Sequence, residues 1–208
     1  MQANWVTSHS KQPFYLRRAF ILERQPASAE LSVCGLGQFN SFLNGSRVGD
    51  GYLEPAWTDY DKLVLYRRFE VSGLLREGKN ALALEVGNGW YIWDQSFGYS
   101  FHFPPFMPPN PNPYHPYGEN LVACFELKLR YADGTEERIC SDADCRTAPH
   151  GVKHSNVYGR SGSKARRSKT AVPTRTMMIP TGRPRLQQSR TRSRRGGWRR
   201  QSFRLSRR

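Results

Sequence analysis

The last 49 residues of this 208-residue chain contain neither aspartate nor glutamate. Residues 160–208 hold 17 Lys/Arg, whereas residues 1–159 hold 15 Lys/Arg and all 17 Asp/Glu. The formal charge of +15 is therefore a property of the C-terminal segment alone. Long apolar runs are also missing. None approaches the roughly 20 residues that a membrane-crossing helix needs, so no membrane partner is expected. The N-terminus, MQANWVTSHSKQPFYLRRAF, lacks the basic-then-apolar layout of a secretion signal. The expectation as written is a cytoplasmic chain with reduced thiols. Cysteine is sparse, with Cys34, Cys124, Cys140 and Cys145 only. The Cys140–Cys145 spacing fits no common zinc pattern, and no histidine follows at ligand spacing. Isolated thiols in or near a core are expected, with no metal and no cofactor. Helix signals are weak, and Val71 to Arg76 has room for one helical turn at most.

What is present is a period of two. Tyr15 to Leu22, Leu31 to Cys34, Phe39 to Leu43, Leu63 to Val71, Ala81 to Val86 and Leu121 to Tyr131 each read as a strand, and a break is expected at Gly35-Leu36-Gly37. Asn44-Gly45 sits between apolar runs. That pair is the strongest short hairpin signal, because a type I′ turn needs positive φ at both central residues. Asp133-Gly134 marks a second hairpin into Thr135 to Cys140. Seven or eight short strands joined by such turns predict an all-β fold, an antiparallel β-sandwich or jelly roll over 1–159, followed by a disordered basic tail over 160–208. Pro104 to Gly118 holds seven prolines in 15 residues. Proline has no N–H for a sheet ladder, so this segment reads as a stiff loop. It either packs on the sandwich or reaches a neighbouring domain or ligand.

Four segments taken together carry a family resemblance. They are Leu43-Asn44-Gly45-x-Arg47-Val48-Gly49-Asp50, Leu53-x-Pro55-x-Trp57-Thr58-Asp59-Tyr60, Leu74-Leu75-Arg76-Glu77-Gly78-x-Asn80-Ala81-Leu82 and Gly87-Asn88-Gly89-Trp90-Tyr91. In that order they resemble the N-terminal β-sandwich domain of bacterial α-L-rhamnosidases. Tyr131-x-Asp133-Gly134 and Ser155-Asn156-x-Tyr158-Gly159 resemble the later hairpin and exit segment of the same domain. The resemblance implies an accessory domain of an inverting glycoside hydrolase that removes terminal α-linked L-rhamnose. It implies a rhamnose-containing glycan and a catalytic (α/α)-barrel in cis as partners. Inversion needs two carboxyl groups about 6.5–9.5 Å apart around a water. Those belong to the barrel, so the resemblance gives this sequence no catalytic residue.

The acids that follow the Asn44-Gly45 hairpin must then be weighed. Asn44-Gly45 is expected to turn the chain, Trp57 and Tyr60 to pack on the sheet, and Asp59 and Asp61 to brace turns. The enzymatic alternative takes two of Asp50, Asp59 and Asp61 as an acid/base pair. On a strand, Asp59 and Asp61 would share a face with Cα atoms about 6–7 Å apart. Candidates for sugar contact are Trp90, Trp93, Asp94, Tyr99 and Phe101. Aromatic rings stack on the apolar face of a sugar and an acid accepts its hydroxyls. The competing reading makes this face core or interdomain contact. His102, His115, His150 and His154 are scattered and read as surface or loop residues.

The basic tail begins where the resemblance stops. At face value it is a polyanion-binding arm acting by non-specific phosphate contacts, with no specific nucleic acid expected. Its composition also fits out-of-frame translation of a GC-rich coding region. Methionine is encoded only by ATG and isoleucine codons begin AT. In the frame starting at each third base, Met177-Met178-Ile179 must give Asp-Asp. The triplets that follow permit Ser, then Asn or Asp, then Trp, a series similar to the Asp-Asp-Ser-x-Trp segment that follows this domain in the family.

Overall fold

The computed structural model describes residues 3–8, 11–92, 117–118, 120–155 and 157, and the backbone of short strands at 162–163, 174–175, 177–178 and 204–207. Two sheets face each other as a β-sandwich. The first contains β1 (Val6–Thr7), β3 (Ser28–Leu36), β6 (Leu63–Glu70), β8 (Val122–Arg130) and β9 (Glu136–Cys140). The second contains β2 (Phe14–Leu22), β4 (Gln38–Leu43), β5 (Ser46–Val48), β7 (Gly78–Gly87) and β10 (Arg146–Pro149). The central order is β1-β8-β3-β6 in one sheet and β10-β2-β7-β4-β5 in the other, all antiparallel. From the basic segment, β14 (Met177–Met178) and β15 (Arg204–Arg207) lie at the two edges of the first sheet. β13 (Thr174–Arg175) lies at an edge of the second. β15 runs parallel to β6. A small separate hairpin pairs β11 (Val152–His154) with β12 (Gly162–Ser163). The remainder of the expected disordered tail lies outside the described residues, as does most of Pro104 to Gly118.

The period of two does what it predicts. Along β7, Asn80, Leu82, Leu84 and Val86 are buried and alternate with half-buried residues. Their register partners Phe14 and Leu16 of β2 are fully buried too. Across the sandwich, Leu31, Val33, Phe125, Leu127 and Leu129 form the opposing inner face. Fully burying each such side chain stabilises the fold by about 1.5–3 kcal/mol.

Turn chemistry fixes the register. Asn44 has φ +53° and Gly45 +87°, the two positive values a type I′ hairpin requires. Asn44 also ties three elements together. Its Nδ2 donates to the Leu74 carbonyl and to Asn80 Oδ1, both at 2.8 Å, and its Oδ1 accepts from the Ala81 N–H at 2.9 Å. At the second hairpin Gly134 has φ +84°, and the Thr135 carbonyl accepts from the Tyr131 N–H at 2.9 Å. The break between β3 and β4 falls on Gly37 alone. Gly35 and Leu36 continue the ladder with Ala123 and Val122. Gly37, at φ +121°, carries the chain from one sheet to the other, and a Cβ there would collide with the Gly87 carbonyl oxygen. The single helical turn appears as a 3-10 turn at Ser72–Leu74.

Candidate functional site

Tyr60, Tyr91 and Tyr117 come together from three segments far apart in sequence. Tyr60 is held by the turn that follows it. The Asp59 carbonyl accepts from the Lys62 and Leu63 N–H groups at 2.8 Å, and Thr58 Oγ1 donates to the Leu63 carbonyl at 2.6 Å. Tyr91 is held by the turn at Asn88, whose carbonyl accepts from the Tyr91 N–H at 3.1 Å. The Asn88 side chain is itself buried. It donates to the Lys11 carbonyl at 2.7 Å and accepts from the Ser155 N–H at 3.1 Å. Tyr117 joins through its N–H, which donates to the Tyr91 carbonyl at 3.2 Å.

The Tyr60 ring stands edge-on to Tyr91 (centroids 5.3 Å apart) and to Tyr117 (5.0 Å). Tyr91 and Tyr117 lie nearly parallel, 6.4 Å apart. Both arrangements are favourable for aromatic quadrupoles. Burial pushes the Tyr60 and Tyr91 phenols far up, with Cys34 adding to Tyr60 and Asp61 to Tyr91. Burial and then Asp59 raise Tyr117, against a hydrogen bond from Trp57 that lowers it. All three are neutral phenols at physiological pH, which rules them out as phenolate bases. The Tyr60 hydroxyl is buried and has no hydrogen-bond partner among the described residues.

Of the acids next to this cluster, Asp59 braces the turn. Asp59 Oδ1 accepts from the Asp61 N–H at 3.2 Å, and Asp59 Oδ2 pairs with Lys62 at 2.7 Å. Asp59 and Asp61 stand in a turn, not on a strand, so the shared-face geometry of the acid/base alternative does not arise. Tyr60 packs as expected, but Trp57 does not. It is 57% exposed, although the segment is anchored on the sheets two or three residues earlier, where Pro55 is buried and the Glu54 carbonyl accepts from the Phe39 N–H at 2.8 Å.

Of the five candidates for sugar contact, Trp90 is partly buried against the core, beside Tyr91. Trp93, Asp94, Tyr99 and Phe101 lie outside the described residues, as do His102 and His115. His150 lies tilted against Tyr15, with centroids 4.4 Å apart, and its Nδ1 accepts from the Val152 N–H. The participation of Tyr117 has no signal in the sequence. It sits among prolines, and only the fold brings it to Tyr60. Among the described residues, no group of three or more His, Cys, Asp or Glu is placed to hold a metal ion.

Comparison with known proteins adds to this geometry. The family model described as Alpha-L-rhamnosidase N-terminal domain matches residues 24–174. An α-L-rhamnosidase of Streptomyces avermitilis is 40% identical over 134 residues, covering 64% of this chain and 12% of that protein. One from Formosa agariphila is 34% identical over 145 residues, covering 70% of this chain and 14% of the other. The chain therefore spans about one seventh or less of these relatives' lengths. Among solved structures, the Streptomyces avermitilis α-L-rhamnosidase complexed with L-rhamnose is similar with a TM-score of 0.58 at 35% identity, over 70% of this chain and 13% of that one. The native α-L-rhamnosidase of Aspergillus terreus shares the fold with a TM-score of 0.66 at 22% identity, over 86% of this chain and 21% of that one.

Proposed function

Because the chain belongs to the family of α-L-rhamnosidase N-terminal domains, we propose that it serves as the accessory β-sandwich of an α-L-rhamnosidase-like glycoside hydrolase. The parent reaction is hydrolysis of terminal α-L-rhamnose from glycosides. The reading rests on one observation: the match covers most of this chain but only a small N-terminal share of each relative. The acid and base carboxylates belong to a barrel in cis, outside this sequence. The sandwich contributes no reacting group. The test is hydrolysis of p-nitrophenyl α-L-rhamnopyranoside by the purified chain. No release above buffer is expected, and turnover that survives repurification overturns the reading.

A second role starts from the tyrosine cluster. Its Tyr91 follows the partly buried Trp90 directly in sequence, and the stretch with Trp93, Asp94, Tyr99 and Phe101 comes next along the chain. We propose that this segment contacts the glycan of the parent substrate by ring stacking, with Asp94 accepting sugar hydroxyls. Titration calorimetry with rhamnose and a rhamnosylated flavonoid tests it. Heat of binding lost in Trp93→Ala and Asp94→Asn supports it, and absence of binding to the unaltered chain refutes it.

The basic segment after residue 159 is proposed to arise from a shifted reading frame. Resequencing the gene from codon 150 onward decides this. A single-base change that restores a long frame supports it, and confirmation of the basic frame followed by a stop sinks it.

A further inference from the structure

Cys34 and Cys124 are separated by 89 residues of sequence yet stand directly opposite each other in the antiparallel ladder between β3 and β8. Both thiols are free, at 0% and 3% exposure. They lie on the face of the first sheet that points away from the sandwich interior, the face of Ser32 and Glu126. There the cluster around Tyr60 reaches Cys34. The Cys34 thiol donates to the Leu65 carbonyl at 3.2 Å, and burial with Cys34 alongside pushes the Cys124 thiol well up.

We propose that Cys34 and Cys124 are a site of covalent modification: a dithiol that closes into a cross-strand disulfide when the chain folds under oxidising conditions. The register meets the main geometric requirement. Directly opposed residues of an antiparallel pair have Cα atoms about 4.5 or 5.5 Å apart, and their side chains leave the same face. Disulfides need about 4.4–6.8 Å between Cα atoms, so the ladder need not move. The other cysteines lack this placement. Cys140 opposes Glu126 in the register with β9, which makes it a diagonal neighbour of Cys124. Diagonal positions lie about 7–8 Å apart, beyond the usual disulfide range. Cys145 sits in the turn after β9, fully buried, and burial pushes its thiol up to about 11.

The chemistry balances with a low-molecular-mass disulfide as oxidant. Each cysteine gives up one proton and one electron, the Cys34–Cys124 bond forms, and oxidised glutathione is reduced to two thiols. Burial sets when this happens. The folded pair is shielded from oxidant, so the bond forms as β3 and β8 meet during folding. Once formed, it is equally shielded from reductant. It joins the two middle strands of the first sheet and closes a long loop, the case in which a cross-link most restricts the unfolded chain.

The full chain is unfolded, then refolded either in mixed reduced and oxidised glutathione or with reductant alone. It is alkylated and digested without reduction for mass spectrometry. The expected result is a linked peptide containing Cys34 and Cys124, lighter than its separate parts by two hydrogens, with Cys140 and Cys145 alkylated. The oxidised form should melt about 10 °C above the reduced form. Cys34→Ser and Cys124→Ser should each abolish both signals. In case either fails to fold, the double variant Cys140→Ser/Cys145→Ser retains only the proposed pair and must keep the link and the shift. Alkylation of both Cys34 and Cys124 after oxidative refolding overturns the proposal. So does a link from either to Cys140 or Cys145, or a melt unchanged by oxidation.

Discussion

Asn44 carries more than its turn. Its positive φ suits asparagine better than most residues, and its amide holds Leu74, Asn80 and Ala81 at once. Asn44→Ala adds backbone strain and leaves partly buried polar groups unpaired. The expected cost is about 2–4 kcal/mol, read as a lower urea midpoint with unchanged slope. Asn44→Gly keeps the turn but not the amide, and should fall between the two. Tyr60 is the opposite case. Its buried hydroxyl lacks a partner among the described residues, so Tyr60→Phe should be neutral or stabilising by up to about 1 kcal/mol. A loss above 1 kcal/mol in denaturant unfolding would show that the hydroxyl is bonded.

At the scale of elements, the hairpin of β8 and β9 is clamped from outside. Arg24 pairs with Asp133 at 2.7 Å, donates to Thr135 Oγ1 at 2.8 Å and lies 4.2 Å from the centre of the Tyr131 ring. Hydrogen bonds from Thr135, first from its side chain and then its backbone, hold the Asp133 carboxyl well below its ordinary value, with Arg24 adding to them. A carboxyl whose folded-state pKa lies below its unfolded value contributes stability above the unfolded value. That contribution is lost as the pH falls through the folded one. The hairpin should therefore weaken as the pH drops below the ordinary 3.8 of this group. Asp133→Asn should flatten the acid limb of stability against pH and lower the plateau near neutrality. An acid limb unchanged in Asp133→Asn would exclude the clamp as its source. The strands themselves were legible where the apolar pattern ran for eight or more residues, as in β2, β6 and β8, and for β7 the six-residue run Ala81–Val86 marked its second half. Two-residue β1 and the short β10 were not, because alternation cannot be read in so few residues. They form because neighbouring strands offer unpaired edges.

For the whole molecule, the exposed apolar side chains are unevenly placed. Among the described residues, three of the five large apolar side chains that are exposed, Tyr52, Leu53 and Trp57, fall within six positions of one loop. Clustered exposed apolar groups are sites of association. The isolated chain is expected to self-associate in a concentration-dependent way by light scattering. Replacing Tyr52 and Trp57 with serine should reduce this, and a monodisperse monomer at high concentration in the unaltered chain would count against it.

The sequence by itself determined the fold class, the two hairpins and the family. Alternation, Asn-Gly and Asp-Gly are local signals, and the physics behind them acts over a few residues. The sequence left open whether the acids near Tyr60 brace a turn or pair as acid and base, and the fold decided this by placing Asp59 and Asp61 in a turn. Only the tertiary structure decided that Trp57 faces solvent and that Tyr117 joins Tyr60 and Tyr91. Only the register decided that Cys34 meets Cys124. Those contacts join residues 26 to 90 positions apart in sequence. Which long-range partners meet depends on how two sheets stack and how their strands are paired, and no local pattern encodes that.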